Sequence, residues 1–337
     1  PYPARNPAQN LADLRAQIAA NAKGAEEIHR MIADFGLDVV RAYTRHVQDN
    51  AEEAVRKVIG SLKDGAFRLE TDSGSVIQVS IRVDQALRCA FIDFTGTSEQ
   101  VRDNFNAPSS ITVAAVLFVF RSLVDRDIPL NAGCLRPLKI HVPEGSMLNP
   151  RFPAAVVAGN VETSQCVTNA LLGALGASAA SQCTMNNFSF GNEQHQYYET
   201  IAGGSGAGPG YSGTDVIQTN MTNSRMTDPE VLELRFPVIV ESFAIRPHSG
   251  GAGRWRGGCG ATRRIRFLTA MSASILSNNR RIAPFGMNGG ESGAIGRNYV
   301  QRVGGRIESV SACETVEMAA GDTLIIETPG GGGYGAR

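Results

Sequence analysis

Apolar residues first recur at helical intervals. Leu11, Leu14 and Ile18 form one stripe over Leu11–Ala22, and Ile28, Met31, Ile32 and Phe35 mark a second short helix. Gly36 follows as the expected C′ residue, because glycine accepts the left-handed backbone that closes a helix. Asp38 is placed to cap a third, longer helix, in which Val40, Tyr43, Val47, Ala51, Ala54, Val58 and Leu62 recur at three- and four-residue steps. The opposite face carries Arg41, Arg45, Glu52, Glu53, Arg56 and Lys57, charges of both signs at helical spacing, as on a solvated surface.

After Asp64-Gly65 the period changes to two. Ile77, Val79, Ile81 and Val83 alternate with polar residues, as do Leu87, Cys89 and Phe91 after a short turn, which predicts a β-hairpin. Ile111–Val124 reads as a buried helix, Leu138–Val142 as a strand and Val161–Leu175 as a helix. Beyond Met185 the pattern is mainly β, with strands expected at Val238–Ile245, Ala261–Leu268, Ser272–Leu276 and Thr323–Thr328 between Gly and Asn clusters. The fold class is therefore α+β. It divides into a helical segment (1–64), a mixed α/β core carrying the candidate site (65–230) and a β-rich C-terminal region (231–337).

Length and composition fit a folded chain. At 337 residues, with 42% hydrophobic and 19% charged residues, it can bury one large or two ordinary cores and is too apolar for intrinsic disorder. Lys plus Arg equals Asp plus Glu at 32 each, so no summed positive field draws it to nucleic acid or an anionic membrane. The longest apolar run, Ile111–Phe120, is about half of a bilayer span. The six cysteines show no C-x-x-C pair, which points to reduced thiols, and with no targeting signal legible this predicts a cytoplasmic location. Pro1, Tyr2 and Pro3 read as linker, and an upstream segment is expected to be missing.

Three Gly-rich segments invite a phosphate reading: Ala202–Gly210, Ser249–Gly260 and Thr328–Gly335. None has the Lys-Ser/Thr ending or the strand-to-helix setting that converges amides on phosphate, so close chain packing is expected instead. Gly159–Gln165 (GNVETSQ) is a better candidate, because the start of a helix leaves amide donors free for an anion or oxyanion. Asn160, Glu162, Thr163 and Gln165 add side-chain donors and one base. The alternative is an ordinary helix capped by Asn160. Asn186, Asn187 and Glu199 fall near strand ends, facing either a pocket or a satisfied turn. The five histidines are far apart, so no metal site within this chain is predicted. Arg254, Arg256, Arg263, Arg264, Arg280 and Arg281 are read as strand-edge charges or carboxylate clamps.

Several segments together resemble the hydantoinase B/5-oxoprolinase family: LRAQIAAN (14–21), DFTGTS (93–98), NAGCLRP (131–137), PEGSMLNP (143–150), AGNVETSQ (158–165), SQCTMNN (181–187) and MTNSRMTDP (221–229). The stretch 181–229 is most similar to 5-oxoprolinases. The resemblance implies the C-terminal part of the hydrolytic half of an ATP-dependent cyclic amide hydrolase of cytoplasmic glutathione metabolism, working within an oligomer. ATP would be bound by a hydantoinase A-type half, fused or separate. A divalent metal would be held by His and Asp residues of the missing N-terminal segment of the same hydrolytic half. The substrate would be a small lactam, 5-oxoproline or a hydantoin.

The chemistry accounts for the division of labour. A lactam nitrogen is a poor leaving group, so the amide oxygen is activated by phosphorylation and the hydrolytic half then needs a positioned water and oxyanion donors. Asn160 and the amides after it are expected to supply donors, and Glu162 or Glu199 to orient water. Thr163, Gln165, Asn186 and Asn187 are expected to line the substrate. Two other functions compete: a subunit of an acetone- or acetophenone-type carboxylase, and a non-catalytic scaffold that docks the ATPase half.

Overall fold

The computed structural model describes residues 7–337. Helix α1 (Pro7–Phe35) leads into α2 (Leu37–Ile59), then β1 (Gly65–Glu70), β2 (Val76–Asp84), β3 (Cys89–Asp93), α3 (Ser109–Ser122) and β4 (Leu138–His141). A π-helical turn (Gly159–Thr163) runs directly into α4 (Ser164–Ala174). There follow β5 (Asn187–Gly191), β6 (Gln196–Glu199), α5 (Pro229–Arg235), β7 (Val238–Ile245), β8 (Ala261–Phe267) and β9 (Met271–Leu276). The last strands are β10 (Arg297–Gln301), β11 (Ile307–Val310), β12 (Cys313–Met318) and β13 (Thr323–Glu327). The class is α+β, as the periodicity predicts.

Two hydrophobic cores organise these elements. The first lies between the sheet β1-β2-β3-β4 and helices α3, α4 and the C-terminal half of α2. It includes Val55, Ile77, Ile81, Ile92, Phe120, Val167 and Leu171. The second joins the five-stranded sheet β11-β10-β13-β8-β7 to the four-stranded sheet β12-β9-β5-β6. Alternate residues of both, among them Phe188, Ile265, Phe267, Ala273, Ile275 and Ile326, point into one shared interior. The alternation that marks β8 (Ala261, Arg263, Ile265, Phe267 inward) therefore carries one charged residue, Arg263, into the core.

The Gly-rich segments form a third packing zone, as their lack of a phosphate-loop setting predicts. Gly258 N donates to Ser205 O (2.9 Å), Gly331 N to Gly258 O (2.8 Å) and Gly251 N to Gly331 O (2.8 Å), so the three extended segments bond to one another. A Cβ built at Gly258 would stand 1.9 Å from Thr214 O, and one at Gly331 1.9 Å from Ser205 O, so only glycine lets these backbones meet. Most amides of these segments are spent on carbonyls of neighbouring strands and loops.

Three local expectations are corrected. The two short helices expected before Gly36 are one continuous helix, because Lys23 pairs with Glu27 (2.8 Å) across the supposed break and Gly24 meets no obstacle there. Asp38 does not cap α2: Gly36, at φ 83°, occupies that position and Asp38 lies in the first turn. The apolar face of α2 is buried only at Ala51, Ala54, Val55 and Ile59, while Tyr43 and Val47 are exposed.

Candidate functional site

Glu162 lies in the π-helical turn and is fully buried. Its Oε1 accepts three hydrogen bonds: from Thr184 Oγ1 (2.9 Å), the amide of Met185 (2.9 Å) and Asn187 Nδ2 (2.7 Å). Its Oε2 is buried with no hydrogen-bonding partner. Burial dominates and pushes the carboxyl pKa up to about 8, against the three donors and the nearby Arg280 guanidinium, which favour the ionised form. At neutral pH the group is therefore mostly a carboxylic acid, with a hydroxyl to donate.

The surrounding polar shell is built from both cores. Asn187, the first residue of β5, also donates to Leu276 O (2.9 Å) and accepts from the half-exposed Tyr198 hydroxyl (2.7 Å). Asn186 adopts φ 44°, a left-handed conformation that asparagine tolerates, and its Oδ1 accepts from Arg280 Nη2 (2.9 Å). Arg280 also donates to Asn298 Oδ1 (3.0 Å) and Asn278 O (2.9 Å), and burial lowers its pKa to about 10. Asp72, in the β1–β2 turn, ties this assembly to the first sheet by accepting from the amides of Arg280 (2.5 Å), Arg281 (3.0 Å) and Ile282 (2.8 Å).

A cleft of about 630 Å³ opens where the two lobes meet, walled by Asp72, Asp103, Phe105, Leu276, Asn278 and Cys313 among others. It adjoins the Glu162 shell at two points: Asn187 bonds to the carbonyl of its wall residue Leu276, and Thr163 Oγ1 bonds to that of Phe105 (2.5 Å). Gln165 donates weakly to Thr219 O (3.3 Å) and leaves its Oε1 buried without a partner. Glu162 and Gln165, three residues apart, thus each carry a buried oxygen without a hydrogen-bonding partner.

The expected site residues do not all converge. Glu162, Asn186 and Asn187 belong to one network, and Thr163 and Gln165 anchor the same turn. Asn160 is exposed and makes no side-chain cap; the helix begins one residue earlier, and the amides of Ala158 and Gly159 are bonded to Asn104 O and Val156 O. Glu199 is separated from Glu162 by strand geometry. It pairs with Phe188 across β5–β6, which sets it on the core face of the sheet, whereas Asn187 faces the other way. Arg263 holds both of its oxygens (2.7 and 3.0 Å), and Tyr197 donates a further bond (2.8 Å). Arg263 is thus a buried carboxylate clamp, one of the two roles expected of that arginine cluster, while Arg254, Arg256 and Arg281 are exposed. Thr184, Tyr198 and Asp72 were not singled out from sequence, and Arg280 was named only within the arginine cluster; the run Asn278-Asn279-Arg280 after a strand was the available signal. Among the described residues, no three His, Cys, Asp or Glu side chains gather to hold a metal ion.

Motifs, fold and buried acid together define a class. The chain belongs to the hydantoinase B/oxoprolinase family, which it matches over residues 2–337. It is 46% identical to 5-oxoprolinase 1 of Arabidopsis thaliana over 97% of its own length, but spans only 27% of that protein. An uncharacterised protein of Methanocaldococcus jannaschii is 36% identical over 98% of the chain, which spans 60% of that relative. The fold is also that of the ATP-dependent caprolactamase of Pseudomonas jessenii, with TM-score 0.82 at 23% identity, covering 97% of this chain and 61% of that one.

Proposed function

We propose that this chain is part of the hydrolytic half of an ATP-dependent cyclic amide hydrolase that opens 5-oxoproline to glutamate. Family membership supports the reaction class, and the observation that carries the role of this chain is the neutral, fully buried Glu162 carboxyl with one unsatisfied oxygen. Opening a lactam needs a proton for the departing ring nitrogen and a donor for charge developing on oxygen. A carboxylic acid kept neutral by burial can supply either. Asn187, Thr184 and the Met185 amide fix Oε1, leaving Oε2 as the donor.

ATP, held by a nucleotide-binding half outside this chain, would activate the lactam oxygen. The glycine segments are unsuited to that task because most of their amides are already bonded. A divalent metal, where the complete enzyme uses one, would be held by a further segment of the hydrolytic half. Substrate would enter the cleft between the lobes, with Thr163, Gln165, Asn186 and Asn187 shaping its floor through the turn and strand they anchor.

The test is ATP-dependent glutamate release from 5-oxoproline by the complete protein with its nucleotide-binding half. Bicarbonate-dependent consumption of a ketone instead of lactam opening would reassign it to carboxylation. A second reading, a scaffold closing over a site built elsewhere, is favoured by the ion pairing of Glu199 and the exposure of Asn160; unchanged turnover in Glu162→Gln would establish it.

A further inference from the structure

The surface least explained by the fold is that of α1. None of its 29 residues is buried. Leu11, Leu14, Ile18, Ile28 and Phe35 are between 53% and 69% exposed. With Ala25 and Ile32 they fall on the a and d positions of a seven-residue repeat (11, 14, 18, 21, 25, 28, 32, 35), interrupted only by Asn21. The ion pairs of α1, Lys23 with Glu26 and Glu27 and Arg30 with Glu27, lie on the outer b, c and f positions, so the seam itself is free of them. At the hairpin end the seam continues into a mostly apolar groove of about 610 Å³ formed with α2 by Met31, Phe35, Val39, Tyr43 and Val47.

A seam of this spacing accepts another helix, knob into hole. Left in water it stabilises nothing, and most of a helix's stability in a folded protein comes from packing its apolar face. The family relationship indicates what lies on it. The Methanocaldococcus relative shares almost all of this chain, yet two-fifths of its own length falls outside the shared region and is available to pack against the shared fold. The hairpin is an apolar face that the shared fold leaves uncovered.

We infer that the α1–α2 seam is the docking site for an amphipathic helical segment from the remainder of a hydantoinase B-type chain. The inference rests on the reading that a further segment completes this hydrolytic half, and is independent of which ring is opened. Ala22, Gly24 and Ala25 leave the middle of the seam shallow, so a bulky apolar residue of the incoming helix fits there. Asn21 fixes the register by requiring a polar partner beside it.

The test is co-expression of this chain with the part of the Methanocaldococcus relative that lies outside the shared region. The two should purify together in equal amounts. Ile18→Asp combined with Phe35→Asp should weaken the pairing at least about tenfold, on the scale of two buried apolar side chains. Thermal unfolding of the two cores should stay unchanged in that variant, since both positions are exposed, and Arg30→Glu on the outer face should leave pairing intact. Failure to co-purify, pairing indifferent to the double substitution, or a dimer of this chain alone that the double substitution dissolves would each overturn the inference. Because binding is read without ATP or substrate, the result is separate from whether 5-oxoproline is the substrate.

Discussion

Asn187 Nδ2 donates to Oε1 of Glu162 at 2.7 Å while its Oδ1 accepts from Tyr198, so a single amide links the deepest carboxyl of the structure to a half-exposed sheet face. That link fixes which oxygen of Glu162 is occupied and which is free.

Glu162→Gln keeps an acceptor for Thr184, Met185 and Asn187 but removes the acidic proton. Lactam turnover by the complete enzyme should fall at least about 100-fold, the usual effect of losing one transition-state donor. The fold should persist, because the three bonds to Oε1 remain possible. Steady-state kinetics together with circular dichroism of the variant checks both parts.

Stability should depend on pH through the same group. Burial raises the Glu162 pKa in the folded state from the ordinary carboxyl value of 4.5 to about 8. Its contribution is fully present below about pH 4.5, where both states are protonated, and is lost as pH rises towards 8 and the unfolded chain alone releases the proton. Stability of Glu162→Gln relative to the unsubstituted chain should therefore increase from pH 5 to pH 8. Denaturant midpoints at matched pH give the difference, and a constant difference would rule out a raised pKa.

Glu199 and Arg263 should behave as a structural pair. Glu199→Ala or Arg263→Ala strands a charge in the second core and should cost about 3–5 kcal/mol, whereas replacing both by Met should recover most of that. Chemical unfolding of the two single variants and the double variant measures it. A Glu199→Gln variant of undiminished stability that had lost turnover would return Glu199 to the catalytic site.

The glycines separate into two kinds. Gly331→Ala and Gly258→Ala put a Cβ within 1.9 Å of a neighbouring carbonyl oxygen, and each should destabilise by about 1–3 kcal/mol or more. Gly24→Ala, at an α1 position with nothing within 4 Å, should instead stabilise the helix by about 0.5–1 kcal/mol. Thermal melts of the three variants test the contrast.

Periodicity made most helices and the longer strands legible, because Ile77–Val83 alternates cleanly, Ala261–Phe267 alternates but for Arg263, and Ile111–Phe120 is apolar but for Thr112. It missed β1, β5, β6, β10, β11 and β12, short strands of four to six residues without a clean apolar alternation, and it divided α1 at a polar stretch that the backbone passes through unaltered. The turn around Glu162 was legible from its Gly-Asn entry and polar run. What spacing could not reveal was the face on which each residue would lie. Asn187 and Glu199 both sit near strand ends, yet the pleat sends one towards Glu162 and the other into the opposite core, where Arg263 meets it. Arg280 reaches Asn186 across 94 residues of sequence, a contact that the polar run Asn278-Asn279-Arg280 does not by itself reveal.

The central claim is that Glu162 is a neutral acid at physiological pH. Infrared difference spectra between the unsubstituted protein and Glu162→Gln, recorded from pH 5 to pH 10, address it directly. A protonated-carboxyl band present at pH 6 and titrating with a midpoint near 8 is the result expected here; a carboxylate band alone across the whole range would contradict it.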